Sequence, residues 1–342
     1  MLVVVLHARQ TLSWLHRPTM LVDLLVSPNG FGGLGVDMFF VISGAVMGMA
    51  LKRDCAPGAF LRARFLRVVP LFWLSAILTI SLSLLLNNPV TIERLANSIT
   101  IFPILDLGSM DMPLPPVGWT LAFELYFYLI VSLALYLPRH MRLHAVLAAL
   151  VLCALIGGEL SHPIKVPLIG IGFNAVLLEF AAGLVALEVS RTSIMARHAP
   201  LAVMAGAGPL LYSTIFGSGF SGGPEALVAG LTGIVRTLAW GFPSAMLLAG
   251  LIARPDRTSA DGACVRFGDA SYAVYLAHWP VMMLLPNFWP WTGEAANILL
   301  FIMLIVAGSA AGLLAHPYIE QPLLARLRQK HGTSTPTDPL AI

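Results

Sequence analysis

Charge is the scarcest feature of this 342-residue chain. Only 11% of its residues are charged, whereas a soluble globular domain carries about 25%. Hydrophobic residues make up 58% of the chain. This balance excludes a soluble globular protein. It predicts an all-α fold, a polytopic integral membrane helix bundle whose solvent is the lipid bilayer.

Cysteines are also few. The three cysteines exclude a disulfide framework. The basic residues fall in short stretches between apolar runs, so we expect no nucleic-acid partner. We expect neither a metal nor a permanently bound cofactor. The sequence shows no internal repeat, and it predicts one membrane domain over 1–330, followed by a disordered tail over 331–342.

Long apolar runs predict the membrane spans. A spanning helix needs about 20 apolar residues, and the pattern predicts about ten such helices, over 1–16, 33–51, 66–86, 117–137, 143–158, 168–188, 200–217, 226–253, 269–287 and 295–316. The longest outer loop, 87–116, is expected to pack a short helix over the membrane surface.

The positions of lysine and arginine predict the orientation. Of the 20 Lys and Arg residues, 15 fall in one set of loops and in the tail, 3 fall in the alternate loops, and Arg9 and Arg236 lie inside predicted spans. Loops rich in Lys and Arg stay in the cytoplasm. We therefore expect both termini to be cytoplasmic.

Ionisable residues inside the apolar runs are the strongest signal of chemistry. A charged side chain at the centre of a spanning helix costs about 2.5–3.5 kcal/mol. A single buried histidine or glutamate is more often a hydrogen-bonded structural group, and an arginine near a span end can snorkel to the interface. Six such positions in one chain predict a polar, reactive interior: His7, Asp37, Glu124, Glu179, Arg236 and His278.

These polar residues are arranged in stripes. Residues three, four or seven apart share one face of a helix. The stripes are Thr120–Glu124–Tyr128, Ser271–Tyr275–His278 and Asp37–Phe40–Gly44. We expect each stripe to face the interior of the bundle.

A basic cluster precedes the third predicted span. Arg64 and Arg67 are three residues apart and share a helix face. Arginine forks bind phosphate in a bidentate manner, so the pair suits a donor such as a coenzyme A thioester at the cytoplasmic mouth. Ordinary positive-inside charge is the alternative explanation.

Five segments, in order, resemble motifs of the type-3 membrane acyltransferase family, which includes bacterial O-acetyltransferases of surface polysaccharides. They are VVVLH at 3–7, GVDMFFVISG at 35–44, FLRARFLRVVP at 60–70, WTLAFELYFY at 119–128 and GDASYAVYLAH at 268–278. The segment HPYIEQP at 316–322 is similar to the family's closing segment, with Glu320 as its acid.

The resemblance implies a reaction and a location. It implies transfer of an acyl group, most often acetyl, from a cytoplasmic acyl-CoA to a hydroxyl of an extracytoplasmic glycan or glycolipid, by a multi-pass protein of the bacterial inner membrane. His7 is then the general base, because histidine titrates near neutral pH. Glu124 orients an imidazole or the acceptor hydroxyl. Asp37 gives electrostatic support, with His7 or an upstream arginine as its expected partner.

The remaining site residues are assigned to substrate binding. Arg64 and Arg67 hold the phosphates of the donor. A covalent relay with His278 as a second station stays open, and Ser43 is a weaker nucleophile candidate because nothing in the sequence places a base beside it. Residues expected to bind or position substrates are Trp119, Tyr128, Ser271, Tyr272, Tyr275 and His278.

One departure from the family pattern concerns the N-terminus. The family has an arginine about eleven residues before its first histidine, but only six residues precede His7. This predicts a clipped or misassigned N-terminus, or an impaired family member. A transporter or flippase is the alternative class, because buried acids and histidines also mark ion pathways.

Overall fold

The computed structural model describes residues 1–17, 19–26, 32–101, 112–159, 167–216, 227, 232–254 and 262–329. Within these ranges every regular element is helical, as predicted. The helices are α1 Leu2–Trp14, α2 Met20–Leu25, α3 Gly33–Leu51, α4 Pro57–Leu85, α5 Ile92–Thr100, α6 Trp119–Ala134, α7 Arg139–Glu159, α8 Pro167–Gly172, α9 Leu177–Val189, α10 Ser193–Phe216, α11 Gly233–Arg236, α12 Phe242–Ala253, α13 Gly262–Asp269, α14 Ser271–Leu284, α15 Glu294–Ala315 and α16 Gln321–Gln329.

Seven helical stretches in the described part of the chain are long and apolar enough to cross a membrane. They are Gly33–Leu51, Pro57–Leu85, Pro116–Ala134, Arg139–Gly157, Leu168–Val189, Gly233–Ala253 and Glu294–Leu327. Each overlaps one predicted span. The other three predicted spans correspond to α1, α10 and α14, so the count of ten stays a prediction. The expected tail over 331–342 lies outside the described residues.

The loop over 87–116 contains the expected short helix, α5. Thr91 caps its N-terminus, because its hydroxyl accepts a hydrogen bond from the Arg94 amide at 3.2 Å. Glu93 lies in the first turn, where a negative charge complements the helix dipole. Residues 102–111 of the same loop lie outside the described part of the chain.

Helix α4 begins earlier than the predicted third span. Pro57 lies in its first turn, where the missing amide hydrogen is not needed. The helix has 29 residues, which corresponds to about 44 Å at a rise of 1.5 Å per residue. This exceeds the hydrocarbon core of about 30 Å. Arg64 and Arg67, which the count of loop charges included, therefore lie on the N-terminal part of this continuous helix.

Glycines bring α3 and α9 into backbone contact. A Cβ atom on Gly183 would lie 1.9 Å from the carbonyl oxygen of Val41, and one on Gly44 would lie 2.2 Å from that of Phe180. Neither position has room for a side chain. Close packing of small residues is a main source of helix association in lipid.

Glycines also position α14 against α15. A Cβ on Gly312 would lie 2.2 Å from the Cα of Val274, and one on Gly308 would lie 3.1 Å from the Cβ of His278. Helix α1 packs against the same pair through Val4, Ala8 and Leu12. The packing of these three helices fixes the positions of His7 and His278 relative to each other along the helix axes.

Candidate active site

A cavity of about 520 Å³ lies between α1, α3, α4, α6 and α14. Apolar side chains such as Val36, Phe39 and Ile42 form most of its wall. Its polar side chains come from segments that are far apart in the sequence. Seven predicted site residues line it together: Arg64, Arg67, Glu124, Tyr128, Ser271, Tyr272 and Tyr275.

The two predicted histidines contact each other next to this cavity. His7 Nδ1 lies 2.8 Å from His278 Nε2, and the rings are stacked with centroids 5.1 Å apart. His278 is fully buried, whereas His7 keeps some exposed surface. The cavity is lined by Val4 and Val274, one helical turn before each histidine. The pair therefore lies one turn beyond the cavity along both helices.

The hydrogen bonds of this pair define the tautomers of the neutral rings. His278 Nδ1 lies 3.1 Å from the carbonyl oxygen of Val274, which accepts only, so Nδ1 carries the hydrogen. The other nitrogen, Nε2 of His278, is then an acceptor. His7 donates to it through Nδ1, and Nε2 of His7 keeps its lone pair. His7 is thus the ring arranged to take a proton.

A second polar group surrounds Glu124. The hydroxyl of Tyr128 donates a hydrogen bond to Glu124 Oε1, as the i,i+4 spacing indicates. The hydroxyl of Ser43 lies 3.5 Å from the same oxygen. The sequence alone placed no base beside Ser43, whereas the structure brings a carboxyl group from another helix to it.

Arg64 lies in the same group rather than at a separate mouth. It is buried, and its guanidinium carbon lies 5.8 Å from the centre of the Tyr128 ring and 5.6 Å from that of Phe60. The charges of Arg64 and Arg67 both act on the Glu124 carboxyl. The predicted donor-binding arginines and the predicted catalytic carboxylate therefore share one cavity.

Two tyrosines of α14 close the cavity against its neighbours. Tyr272 donates to the carbonyl of Val68 at 2.7 Å, and Tyr275 donates to that of Val117 at 2.7 Å. The Tyr275 oxygen also lies 2.8 Å from the hydroxyl of Thr120. These bonds tie α14 to α4 and α6. Ser271, at the start of α14, is exposed at the cavity edge.

Asp37 has a different partner from the one expected. Arg236 binds it with both branches of its fork, at 2.6 Å from Nη2 to Oδ2 and 3.2 Å from Nε to Oδ1. The guanidinium also packs over Trp240 and donates to the Gly33 carbonyl. Arg236 therefore does not snorkel, and the observed partner of Asp37 is Arg236 rather than His7.

This ion pair lies away from the cavity, whose described lining does not include Asp37. Buried Glu179 acts electrostatically on both members and approaches the Thr237 hydroxyl at 3.4 Å. The group joins α3, α9 and α11, so its position supports a structural role. The catalytic role predicted for Asp37 has no support in this geometry.

Trp119 and Glu320 also lie apart from the described lining of the cavity. Trp119 is buried and packs edge-on against Phe123, with ring centroids 6.0 Å apart. Its predicted contact with substrate is not supported by this position. Glu320 is buried and accepts from His316 at 2.7 Å.

Sequence reasoning did not single out Trp279, whose ring stands edge-on to His7 with centroids 5.2 Å apart. Its place next to His278 in the sequence was the available signal.

Among the described residues, no group of three or more His, Cys, Asp or Glu side chains could hold a metal ion.

Comparisons with known proteins place this chain in a family. The model of the family described as "Acyltransferase domain" matches residues 1–316. The chain is similar to the exopolysaccharide production protein ExoZ of Rhizobium meliloti (strain 1021), with 30% identity over 89% of this chain and 93% of the relative. It is also similar to the acyltransferase MdmB of Streptomyces mycarofaciens, with 26% identity over 90% of this chain and 85% of the relative. No solved structure matches the chain.

The chain belongs to the type-3 acyltransferase family. It is a multi-pass membrane acyltransferase that acts on oxygen. This membership favours an enzyme over the transporter or flippase that buried ionisable residues alone left open.

Proposed function

We propose that the protein transfers an acyl group from cytoplasmic acyl-CoA to a hydroxyl of an extracytoplasmic glycan. The acyl group that we propose is acetyl. The observation that carries this proposal is the placement of the His7–His278 pair one turn from a cavity lined by Arg64, Arg67 and Glu124. The name of one relative, an exopolysaccharide production protein, supports a glycan acceptor.

The cavity suits the acyl-bearing arm of the donor. Its volume of about 520 Å³ lies within the range of small-molecule sites, and its apolar wall fits a thioester and its linker. Arg67 is partly exposed at the cavity, so its guanidinium is accessible to the donor. Its fork binds a donor phosphate. Buried Arg64 holds the Glu124–Tyr128 group in place and adds positive charge near the thioester carbonyl.

The reaction uses His7 as the base. Its Nε2 takes the proton of the acceptor hydroxyl, and the oxygen forms a bond to the thioester carbon. The carbon–sulfur bond then breaks, and the proton passes from His7 to the leaving sulfur, which departs as the thiol. General base catalysis of this kind contributes about 10²–10⁴-fold.

His278 supports His7 rather than carrying the acyl group. Its Nε2 accepts the hydrogen bond from His7, and its Nδ1 donates to Val274. Both ring nitrogens are therefore engaged in the resting pair. This arrangement favours direct transfer over the histidine relay.

The proposed setting is the bacterial inner membrane, with ten spans and both termini in the cytoplasm. The excess of Lys and Arg in one set of loops supports this orientation. The cavity end of α1 and α14 then faces the cytoplasmic donor, and the opposite end faces the acceptor.

Mass spectrometry of surface glycans tests this function. Glycans from a strain with the gene should carry acyl groups, seen as a 42 Da increment for acetyl, about the mass of one ketene unit. A strain that lacks the gene should lose that increment, and complementation should restore it. Identical glycan acylation in the two strains would refute the proposal.

A further inference from the structure

An aromatic path leads away from His7 on the side opposite the cavity. The Trp279 ring stands edge-on to His7, with centroids 5.2 Å apart and planes at 90°. Trp14 in turn stands edge-on to Trp279, with centroids 5.9 Å apart and planes at 68°. Three rings from two helices therefore form a continuous series.

The direction of this series follows from the helices. Both α1 and α14 begin at the cavity, which is lined by Val4 and Val274, and each histidine lies about one turn beyond the valine of its own helix. Trp14 lies seven residues beyond His7, which places it on the same face of α1 about 10 Å further along. The series thus runs from the catalytic pair toward the far end of α1.

The far end of the series is open. Trp279 is 8% exposed, whereas Trp14 is 60% exposed. Ser13, next to Trp14, is also exposed and borders a small polar cavity of about 50 Å³ that is shared with Arg9 and Asp23. An exposed indole beside a few polar groups combines apolar contact area with hydrogen-bonding groups, as binding sites for polar ligands require.

We propose that Trp14 and Trp279 form the acceptor platform of the enzyme, on which one sugar ring of the glycan stacks while its hydroxyl reaches His7. This inference rests on the proposed function, because it names where that function's acceptor binds. Trp14 touches the sugar. Trp279 is a positioning residue that holds both the platform and the His7 ring.

The competing role for an exposed tryptophan in this protein is anchoring at the membrane interface. Trp291 provides a matched control for that role. It is 59% exposed, and its ring packs against Trp289 rather than toward His7. It lies at the same end of the molecule, since Arg17, just after α1, donates to its carbonyl at 3.0 Å.

The test uses full-length protein in liposomes, with acetyl-CoA as donor and polysaccharide purified from a strain lacking the gene as acceptor. Trp14→Ala should raise the acceptor KM about tenfold, the scale of one lost aromatic contact, and leave the KM for acetyl-CoA unchanged. Trp14→Phe, which keeps an aromatic face, should restore most of the acceptor affinity. Trp291→Ala should behave like the wild type.

Each contrary result has its own meaning. An unchanged acceptor KM in Trp14→Ala, or an equal rise in Trp291→Ala, would overturn the platform while leaving the proposed function intact. Absence of transfer by the wild type to this polysaccharide would overturn the proposed function, and the platform with it. Because Trp14 is largely exposed, its replacement leaves the described core intact, and the KM for acetyl-CoA reports that the variant is folded.

Discussion

His7 donates a hydrogen bond through Nδ1 to Nε2 of His278, over 2.8 Å. The donor and acceptor roles follow from the Val274 carbonyl, which accepts a hydrogen bond from the only N–H group of the neutral His278 ring. A buried histidine thus does for His7 what a carboxylate does in other catalytic pairs: it holds the ring and selects its tautomer. The partner is neutral, so the pair avoids a buried negative charge in the membrane.

His278→Ala should therefore lower kcat while leaving the KM for acetyl-CoA near its wild-type value. We expect a loss of about tenfold to a hundredfold, smaller than the 10²–10⁴ expected of the base itself, because His7 remains but is no longer oriented. His278→Gln, whose side-chain oxygen can accept from His7 Nδ1, should recover part of the rate. An acyl group found on His278 by mass spectrometry would contradict this account and favour the relay.

The two arginines of α4 should separate into different roles. Arg67→Gln should raise the KM for acetyl-CoA about tenfold, the loss of one charge-assisted contact, with little change in stability. Arg64→Gln should reduce both kcat and thermal stability, because Arg64 is buried against Tyr128. Titration of coenzyme A into each purified variant measures the first effect. Unchanged coenzyme A affinity in Arg67→Gln would mean that this residue only sets topology.

The Asp37–Arg236 pair should matter for folding more than for chemistry. Asp37→Asn leaves a buried guanidinium without its counter-charge, which costs about 3–5 kcal/mol. Asp23→Asn is the matched control: it breaks a pair with Arg9 in which Asp23 is 42% exposed, worth about 0–1 kcal/mol. Thermal unfolding in detergent measures both.

The same pair allows a rescue experiment. Replacing both charges, as in Asp37→Leu with Arg236→Met, should recover most of the stability lost in Asp37→Asn, since no charge is then left unpaired. Recovered acyl transfer in the double variant would confirm a structural role. A stable double variant with no activity would instead support the predicted catalytic role of Asp37.

Gly183→Ala should force α3 and α9 apart. The new Cβ would lie 1.9 Å from the Val41 carbonyl oxygen, and both groups belong to helix backbones that cannot yield locally. We expect a loss of about 1–3 kcal/mol from overpacking. Gly208→Ala, in α10, meets nothing within 4 Å and should be neutral or slightly stabilising. Equal melting temperatures of the two variants would contradict the close packing.

Helix periodicity predicted one part of the cavity lining. The spacing of Glu124 and Tyr128 is that of one helix face, and the structure joins them by a hydrogen bond. Arg64, Tyr272 and Tyr275 were assigned to substrate binding on the family resemblance, and they line the same cavity. Such local signals survive folding because the helix fixes which residues share a face.

Long-range pairings were not predictable from the same signals. Arg236 lies 199 residues from Asp37. It belongs to the predicted span over 226–253, whose boundaries the apolar pattern does not define. The only available hint was that two opposite charges inside apolar spans each need a partner. The contact between His7 and His278 is similar: both residues were identified, but their bond depends on how α15 packs with its glycines against α14.

The central claim is that His7 is the base for acyl transfer, and one measurement tests it most directly. Full-length protein in liposomes is given radiolabelled acetyl-CoA and unmodified surface polysaccharide, and transfer of label is compared between the wild type and His7→Ala. We predict loss of at least about 10²-fold in kcat, with coenzyme A binding and the melting temperature retained. Transfer by His7→Ala at the wild-type rate would contradict the account.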